Sequence, residues 1–370
     1  MTAQSWDTAR RVLCVRLDSF GDVLMTGPAM EALRDAVPGR TITLLTSPSG
    51  AQAASVMPVF DDVICYEAPW MKHSAQRSRG DIDRAFIEQL AAARFDAACI
   101  CTVSSQTPFP AALACLLADI PLRLAHVREQ GYQLLTHAVP EPEPAQDVRH
   151  EVQRQLDLVA TVGAPAAARP IHVDVNEEDR RAVAMELTAR GLAMAPLVVL
   201  HPGASAPSRR YPAARYAAAA EQLVADGVPL LVVGGDTDRP VVDALQAAAG
   251  VELPTWVGSL STGVLAALLE RADVVIANNS GPAHLASALG TPIVSLYAMT
   301  NPQHTPWMVQ HDVLQHDVPC RWCRRSECPE LHHRCLTGVE PAQVVEAVRG
   351  RLRALGIRVP TTSRGLTCVS

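Results

Sequence analysis

No apolar run in the 370-residue chain approaches the ~20 residues that a membrane-spanning helix needs, and residues 1–7 lack the basic flank and apolar core of a signal peptide. Both absences predict a cytoplasmic protein, one that meets the inner face of a membrane only through a substrate held there. Low-complexity tracts are missing too: 48% of residues are apolar and only 19% charged, which is the composition of a globular chain. Positive charge is not in excess. A formal net charge of −6 gives no general pull toward nucleic acid or an anionic membrane, and nucleic acid is excluded as an expected partner. Ten cysteines are present, but a cytosolic chain does not build a disulfide framework, so the four crowded into residues 320–335 call for a separate explanation.

What is present is an alternation of buried-strand and helix patterns, in a chain too long for one compact core of the usual size. Apolar runs at 11–17, 41–45, 63–66 and 97–102 predict strands, with helices at 83–93 and 111–117 and a helical pattern through Leu24, Leu33 and Val37. An extended Pro-Glu break at 139–144, a helix over about 147–162 and the alanine-proline stretch 163–170 follow. The pattern then restarts with strands at 197–201, 230–234, 273–277 and 292–297 and helices at 215–226, 239–249, 264–269, 282–289 and 341–355. Right-handed crossovers in such a chain give parallel sheets covered on both faces. The predicted class is α/β, with Rossmann-like doubly wound domains at 1–165 and 166–357 facing across a cleft, and a flexible tail at 358–370.

Residues 276–290, I-A-N-N-S-G-P-A-H-L-A-S-A-L-G, organise the second half. A β-branched run turns straight into a helix for which Ser280 suits the N-cap, Pro282 the first turn and Gly290 the left-handed C′ position. Free backbone amides and the positive end of the helix dipole make that mouth a phosphate site, or else it is simply a well-capped strand–helix unit.

Several short motifs stand in order along the chain: Arg16-Leu-Asp-Ser-Phe-Gly-Asp-Val23, His201-Pro-Gly-Ala-Ser205 followed by Arg209-Arg-Tyr-Pro212, Gly234-Gly-Asp-Thr-Asp238, and Asn278-Asn-Ser-Gly-Pro-Ala-His284 with Gly290-Thr-Pro292. In this order and with the cysteine cluster they resemble glycosyltransferase family 9, the heptosyltransferases of lipopolysaccharide core assembly and their relatives. The resemblance implies the GT-B architecture and inverting transfer of a sugar from a nucleotide-diphosphate donor, ADP-heptose by default, to a glycan or glycolipid hydroxyl, with no catalytic metal or other cofactor.

Residue by residue, the resemblance assigns Asp22 as the base that takes the acceptor proton, against the alternative of a helix cap, with Asp18 its nearer rival. Asp18, Ser19 and Gly21 form the acceptor loop. Arg209 falls where better-known members place a lysine facing the diphosphate, and Asp238 where an acidic residue holds the ribose hydroxyls; the alternatives are a solvated Arg209-Arg210 pair and a cap on the helix opening at Pro240. Asn279 departs from the aspartate usual beside the Ser-Gly pair, which keeps hydrogen-bonding reach but loses the charge at the donor sugar. Ser280, Gly281 and His284 suit phosphate oxygens, and His201 lines the donor site or packs beneath it.

Cys320, Cys323, Cys328 and Cys335 have the number for a structural zinc or iron–sulfur centre, although C-x2-C-x4-C-x6-C is not a standard finger; reduced or paired cysteines are the alternative. Arg321, Arg324, Arg325, His332, His333 and Arg334 around them form a basic patch suited to an anionic acceptor, or a solvated rim. Rival functions are a nucleotide-sugar 2-epimerase of the same architecture and a catalytically silent sugar-nucleotide-binding protein. A dinucleotide oxidoreductase is disfavoured because neither glycine loop reads G-x-G-x-x-G.

Overall fold

The structure is a computed structural model that describes residues 5–72, 74–141, 148–194, 196–258 and 260–359. Residues 142–144 of the Pro-Glu break and the tail from residue 360 lie outside the described residues. The chain divides into two compact units, Met1–Asp174 and Val175–Ser370.

In the first unit, β1 (Arg11–Arg16) leads into α1 (Phe20–Asp35), then β2 (Thr41–Thr46), α2 (Pro48–Ala54), β3 (Asp62–Cys65), α3 (Asp81–Ala93), β4 (Ala97–Ile100), α4 (Phe109–Leu117), β5 (Leu122–Val127), β6 (His137–Pro140) and α5 (Glu151–Ala160). All pairings are parallel, in the order β3-β2-β1-β4-β5-β6. A parallel sheet is buried on both faces, which is why Val12 to Arg16 are each at most 1% exposed. Leu13, Val15 and Ile100 meet Phe86, Leu90 and Ala112 in one core.

The second unit holds α6 (Glu177–Ala189), β7 (Val198–His201), α7 (Ala213–Ala225), β8 (Leu230–Gly234), α8 (Arg239–Ala248), β9 (Thr255–Val257), α9 (Thr262–Arg271), β10 (Val274–Asn278), α10 (Gly281–Ala288), β11 (Ile293–Leu296), β12 (His311–Leu314), the short α11 (Arg334–Thr337) and α12 (Pro341–Ala354). Its sheet is again wholly parallel, ordered β12-β11-β10-β7-β8-β9. Val198, Leu200, Ile276 and Val294 pack against Tyr216, Leu223, Val344 and Val348. The strand order reverses between β1 and β4 in one unit and between β7 and β10 in the other. Loops leaving the carboxyl ends of those strands part to opposite sides and leave a crevice, the place where doubly wound sheets take ligands.

Strands β5, β6, β9 and β12 have no counterpart in the apolar-run pattern. Arg123 and His126 interrupt β5, yet Arg123 is buried because it donates to the carbonyls of Ile120, Leu134 and Gln133 at 2.5, 2.7 and 3.0 Å. Strand β12 carries Asp312, held by Arg351 of α12 at 2.5 and 2.9 Å. Gly290 has φ +77° and closes α10 in the left-handed conformation its position calls for.

Asn278, fully buried at the end of β10, joins four segments. Its amide donates to the carbonyls of Pro202 and Gly203 at 2.7 and 3.1 Å, while its oxygen accepts from the Tyr211 amide at 3.0 Å and the Tyr216 hydroxyl at 2.9 Å. Asn278→Ala strands these partners in a dry interior, and is expected to cost roughly 2–4 kcal/mol. A denaturant midpoint equal to that of the parent would contradict this bracing role.

Candidate active site

Arg16 ends β1 on the face shared with Val12 and Cys14, and its side chain is entirely buried. Its guanidinium is shared among three carboxylates: Nε lies 3.1 Å from Asp18 Oδ2, Nη2 3.2 Å from Asp22 Oδ1 and Nη1 2.9 Å from Glu151 Oε1. Burial works against the positive charge, but Asp18, Glu151 and Asp22 together outweigh it and raise Arg16 above its ordinary range. Glu151 is delivered from the first turn of α5, where Gln155 also donates to it at 2.9 Å.

Asp22 is the third residue of α1, and Ser19 is the N-cap. The Asp22 Oδ2 accepts from the Ser19 amide at 3.2 Å and the Ser19 hydroxyl at 2.6 Å. Asp22 therefore takes part in capping as the returning member of a capping box rather than as the cap itself. Gly21 is buried in the same turn. Asp18 sits deeper, and its Oδ1 accepts from Gln106 Nε2 at 2.6 Å. Burial, despite Arg16, pushes the Asp18 carboxyl up from 3.8 to about 6, and the neighbouring Asp22 adds to the shift.

In the second unit His201 ends β7, with Nε2 3.3 Å from Asp238 Oδ2. The Gly235 amide donates to the same oxygen at 3.1 Å. Burial raises the Asp238 carboxyl, but His201, the Gly235 amide and Arg210 outweigh it and hold it below its ordinary value. Asp238 occupies the N-cap position of α8 but its side chain caps nothing there; it turns back toward β7. Glycine permits that approach, since a Cβ on Gly203 would lie 2.0 Å from Asp238 Oδ1 and one on Gly234 2.8 Å from Asp238 Cβ.

Around the start of α10, Arg209 Nη1 donates to the Asn279 carbonyl at 3.3 Å, and the Asn279 amide group donates to Thr300 Oγ1 at 2.8 Å. Ser280 holds the N-cap position with extended backbone, but its hydroxyl donates to the Asn278 carbonyl at 3.2 Å and makes no side-chain cap, which corrects the capping role expected of it. The amides of Ala283 and His284 donate to the Ser280 carbonyl at 3.1 and 3.5 Å, and His284 is buried in the first turn beside Gly281.

Among the described residues no three His, Cys, Asp or Glu side chains are disposed to hold a metal ion. Cys320, Cys323, Cys328 and Cys335 are half-buried free thiols. Cys320 Sγ lies 3.9 Å from His332 Nε2, and Cys328 Sγ accepts from the His333 amide at 3.4 Å. Burial, with the neighbouring Cys328, Cys323 and Cys320, pushes the Cys335 thiol up to about 11. What the sequence pattern does not show is where this loop packs. It grips the turn Pro207–Arg209: the Ser208 amide donates to the Ser326 carbonyl at 3.0 Å, the Ser208 hydroxyl to the Arg325 carbonyl at 2.6 Å, and His333 Nε2 lies 2.7 Å from the Ser208 carbonyl. Glu151 and Gln106 were likewise not singled out by motif or spacing, and Arg16 and Asn278 stand in the quoted motifs without a role assigned to them.

Because the folded value for Asp18 lies above the unfolded one, its unfavourable contribution is absent below about pH 4, grows between about 4 and 6, and is complete above. Asp18→Asn has no proton to lose. Its stability relative to the parent should rise between pH 4 and pH 7, by on the order of 1–3 kcal/mol. Thermal unfolding at the two pH values checks this, and a pH-independent difference contradicts it.

The profile of glycosyltransferase family 9 (heptosyltransferase) matches residues 84–334. Lipopolysaccharide heptosyltransferase 2 of Salmonella typhimurium is 25% identical over 262 residues, covering 67% of this chain and 74% of that protein. Lipopolysaccharide heptosyltransferase 1 of Pseudomonas aeruginosa is 27% identical over 324 residues, 86% of this chain and 87% of its own. The structure of the E. coli ADP-heptose LPS heptosyltransferase II superposes with a TM-score of 0.73 at 22% identity, covering 94% of this chain and 99% of that one, a likeness of fold. Matched over more than half of its length, the chain belongs to glycosyltransferase family 9 and is a glycosyltransferase of the GT-B fold.

Proposed function

We propose that the chain moves a heptose from ADP-heptose to a hydroxyl of a lipopolysaccharide-core glycan or glycolipid, with inversion at the anomeric carbon. The observation that carries this reading is the Arg16 cluster. It holds Asp22, in the first turn of α1 just beyond the carboxyl end of β1, with the guanidinium at 3.2 Å and the Ser19 amide and hydroxyl orienting its other oxygen. In the proposed step Asp22 takes the acceptor proton as the acceptor oxygen bonds to the anomeric carbon; the bond from that carbon to the diphosphate oxygen breaks, and ADP departs. Asp18, Ser19 and Gly21 form the acceptor side.

On the donor side Asp238, kept ionised by His201 and Gly235, accepts from the ribose hydroxyls. Arg209 and the mouth of α10 at Ser280, Gly281 and His284 neutralise the diphosphate. Asn279 contacts the sugar without adding a second negative charge. The cysteine loop takes no part in the step; its proposed work is to brace the turn that carries Arg209. A structural zinc or iron–sulfur centre there would require the four cysteines to draw together from their present places. A lipopolysaccharide-core acceptor is anchored in a bilayer, so contact with the inner face of the cytoplasmic membrane belongs to the same proposal; among the described residues no helix is long and apolar enough to cross one.

Asp22→Asn, which keeps an acceptor for Ser19, should lower kcat roughly 10²–10⁴-fold while the Kd for ADP stays within about twofold. Transfer at the parent rate overturns the base assignment. Gly203→Ala would drive a methyl into Asp238 and should weaken ADP at least about tenfold, on the order of 1.4 kcal/mol; unchanged ADP affinity in a calorimetric titration contradicts the ribose role. Release of an isomerised sugar without acceptor would point to an epimerase, and intact donor after long incubation with varied acceptors to a silent binding protein.

A further inference from the structure

A cavity of about 300 Å³ opens at the β1/β4 switch point of the first unit. Its lining includes the apolar Val15, Leu17 and Ile100, the polar Asp18 and Gln106, and Trp70 with Met71. Among the described residues no lysine or arginine lines it. Arg16 is close by, but its guanidinium is already divided among three carboxylates.

Trp70 is half-buried and firmly seated. The turn that carries it is closed by the Met71 amide and the Ser74 hydroxyl, which both donate to the Ala68 carbonyl, at 3.0 and 2.6 Å. The indole lies 6.1 Å from the Tyr66 ring, and Tyr66 stacks on Phe86 of α3 at 3.7 Å. The Tyr66 hydroxyl donates to Asp83 at 2.5 Å, which fixes the ladder from its far end. A seated aromatic side chain, a carboxylate and a carboxamide lining one cavity together with apolar side chains supply the chemistry that a pyranose ring needs. The ring offers an apolar C–H face to the indole and a rim of hydroxyls to the polar pair.

We propose that this cavity holds the acceptor as a neutral, hydroxyl-bearing sugar ring, with Trp70 against its C–H face and Asp18 with Gln106 reading its hydroxyls. The word acceptor rests on the transferase reading above; the chemistry of the cavity does not. A ring bearing a carboxylate or phosphate would place its charge beside Asp18 with no cation in the lining to meet it, and like charges at that range are disfavoured. The preference is therefore built in, and the basic residues around the cysteine loop have no part in it.

The test uses the full-length protein with two probes that differ only in charge, methyl α-D-mannopyranoside and the corresponding methyl mannopyranosiduronate, followed by saturation-transfer NMR. The neutral probe should bind saturably and the uronate at least about tenfold more weakly, a difference on the order of 1.4 kcal/mol. Trp70→Ala should weaken the neutral probe at least about tenfold; since Trp70 is only half-buried, ADP affinity should be unchanged and report an intact fold. Asp18→Asn should narrow the gap between the two probes. Equal binding of the probes, no binding of the neutral one, or an affinity unmoved by Trp70→Ala overturns the proposal. Transfer from ADP-heptose is measured in parallel. A parent protein that binds the neutral probe but transfers nothing contradicts the transferase reading alone, and a Trp70→Ala enzyme with an unaltered acceptor KM contradicts the cavity alone.

Discussion

One guanidinium organises the first unit. Arg16 is wholly buried, a position that an unpaired charge cannot hold, and it is stable there because Asp18, Asp22 and Glu151 surround it. The three carboxylates come from the loop after β1, the first turn of α1 and the first turn of α5, so the cation ties a strand to two helices. The same arrangement sets the two aspartates apart chemically. Asp22 is partly exposed, with both oxygens engaged by Arg16 and Ser19. Asp18 is deeper, and desolvation prevails over its ion pair, leaving a carboxyl near 6 in a cavity wall. Two acids four residues apart thus have different environments, in keeping with the different work proposed for them, one accepting a proton and the other reading a hydroxyl.

In the second unit the candidate site is shaped by close backbone approach. Gly203 and Gly234 let Asp238 fold against His201, and Asn278 draws the loop after β7 to the end of β10 through four hydrogen bonds. The cysteine loop presses on the other side of the Pro207–Arg209 turn through Ser208 and His333. Asp238 and the turn that carries Arg209 are thus each held by several neighbours, which suits the donor role proposed for them.

Much of this was legible in the sequence, for identifiable reasons. Strands such as β1, β8 and β10 are short continuous apolar runs, the signature of parallel strands buried on both faces, and their alternation with helices gave the doubly wound class. Strands β5 and β12 were not legible, because Arg123 and Asp312 break their apolar pattern: Arg123 is satisfied by the carbonyls of Ile120, Gln133 and Leu134, and Asp312 is paired with Arg351 of α12. The motifs fall on the loops that leave β1, β7, β8 and β10, yet spacing could not say that Asp18 and Asp22 share one cation with Glu151, 135 residues from Arg16. Nor could it say that the Asn279 amide is committed to Thr300, that Ser280 declines the capping role its type favours, or that four clustered thiols do not converge. The Glu151 and Thr300 contacts are distant in sequence, whereas the Ser280 hydroxyl turns to the nearby Asn278 carbonyl, a choice that residue type does not reveal.

The central claim is that Asp22 removes the acceptor proton as the new bond forms. It is tested most directly by comparing Asp22→Asn with the parent on two acceptors, the native glycan and an analogue whose reacting hydroxyl is made more acidic by a neighbouring fluorine. A base matters less when the proton leaves more readily. The account predicts that the rate loss caused by the substitution shrinks at least about tenfold on the acidic acceptor; an equal loss on both acceptors would contradict it.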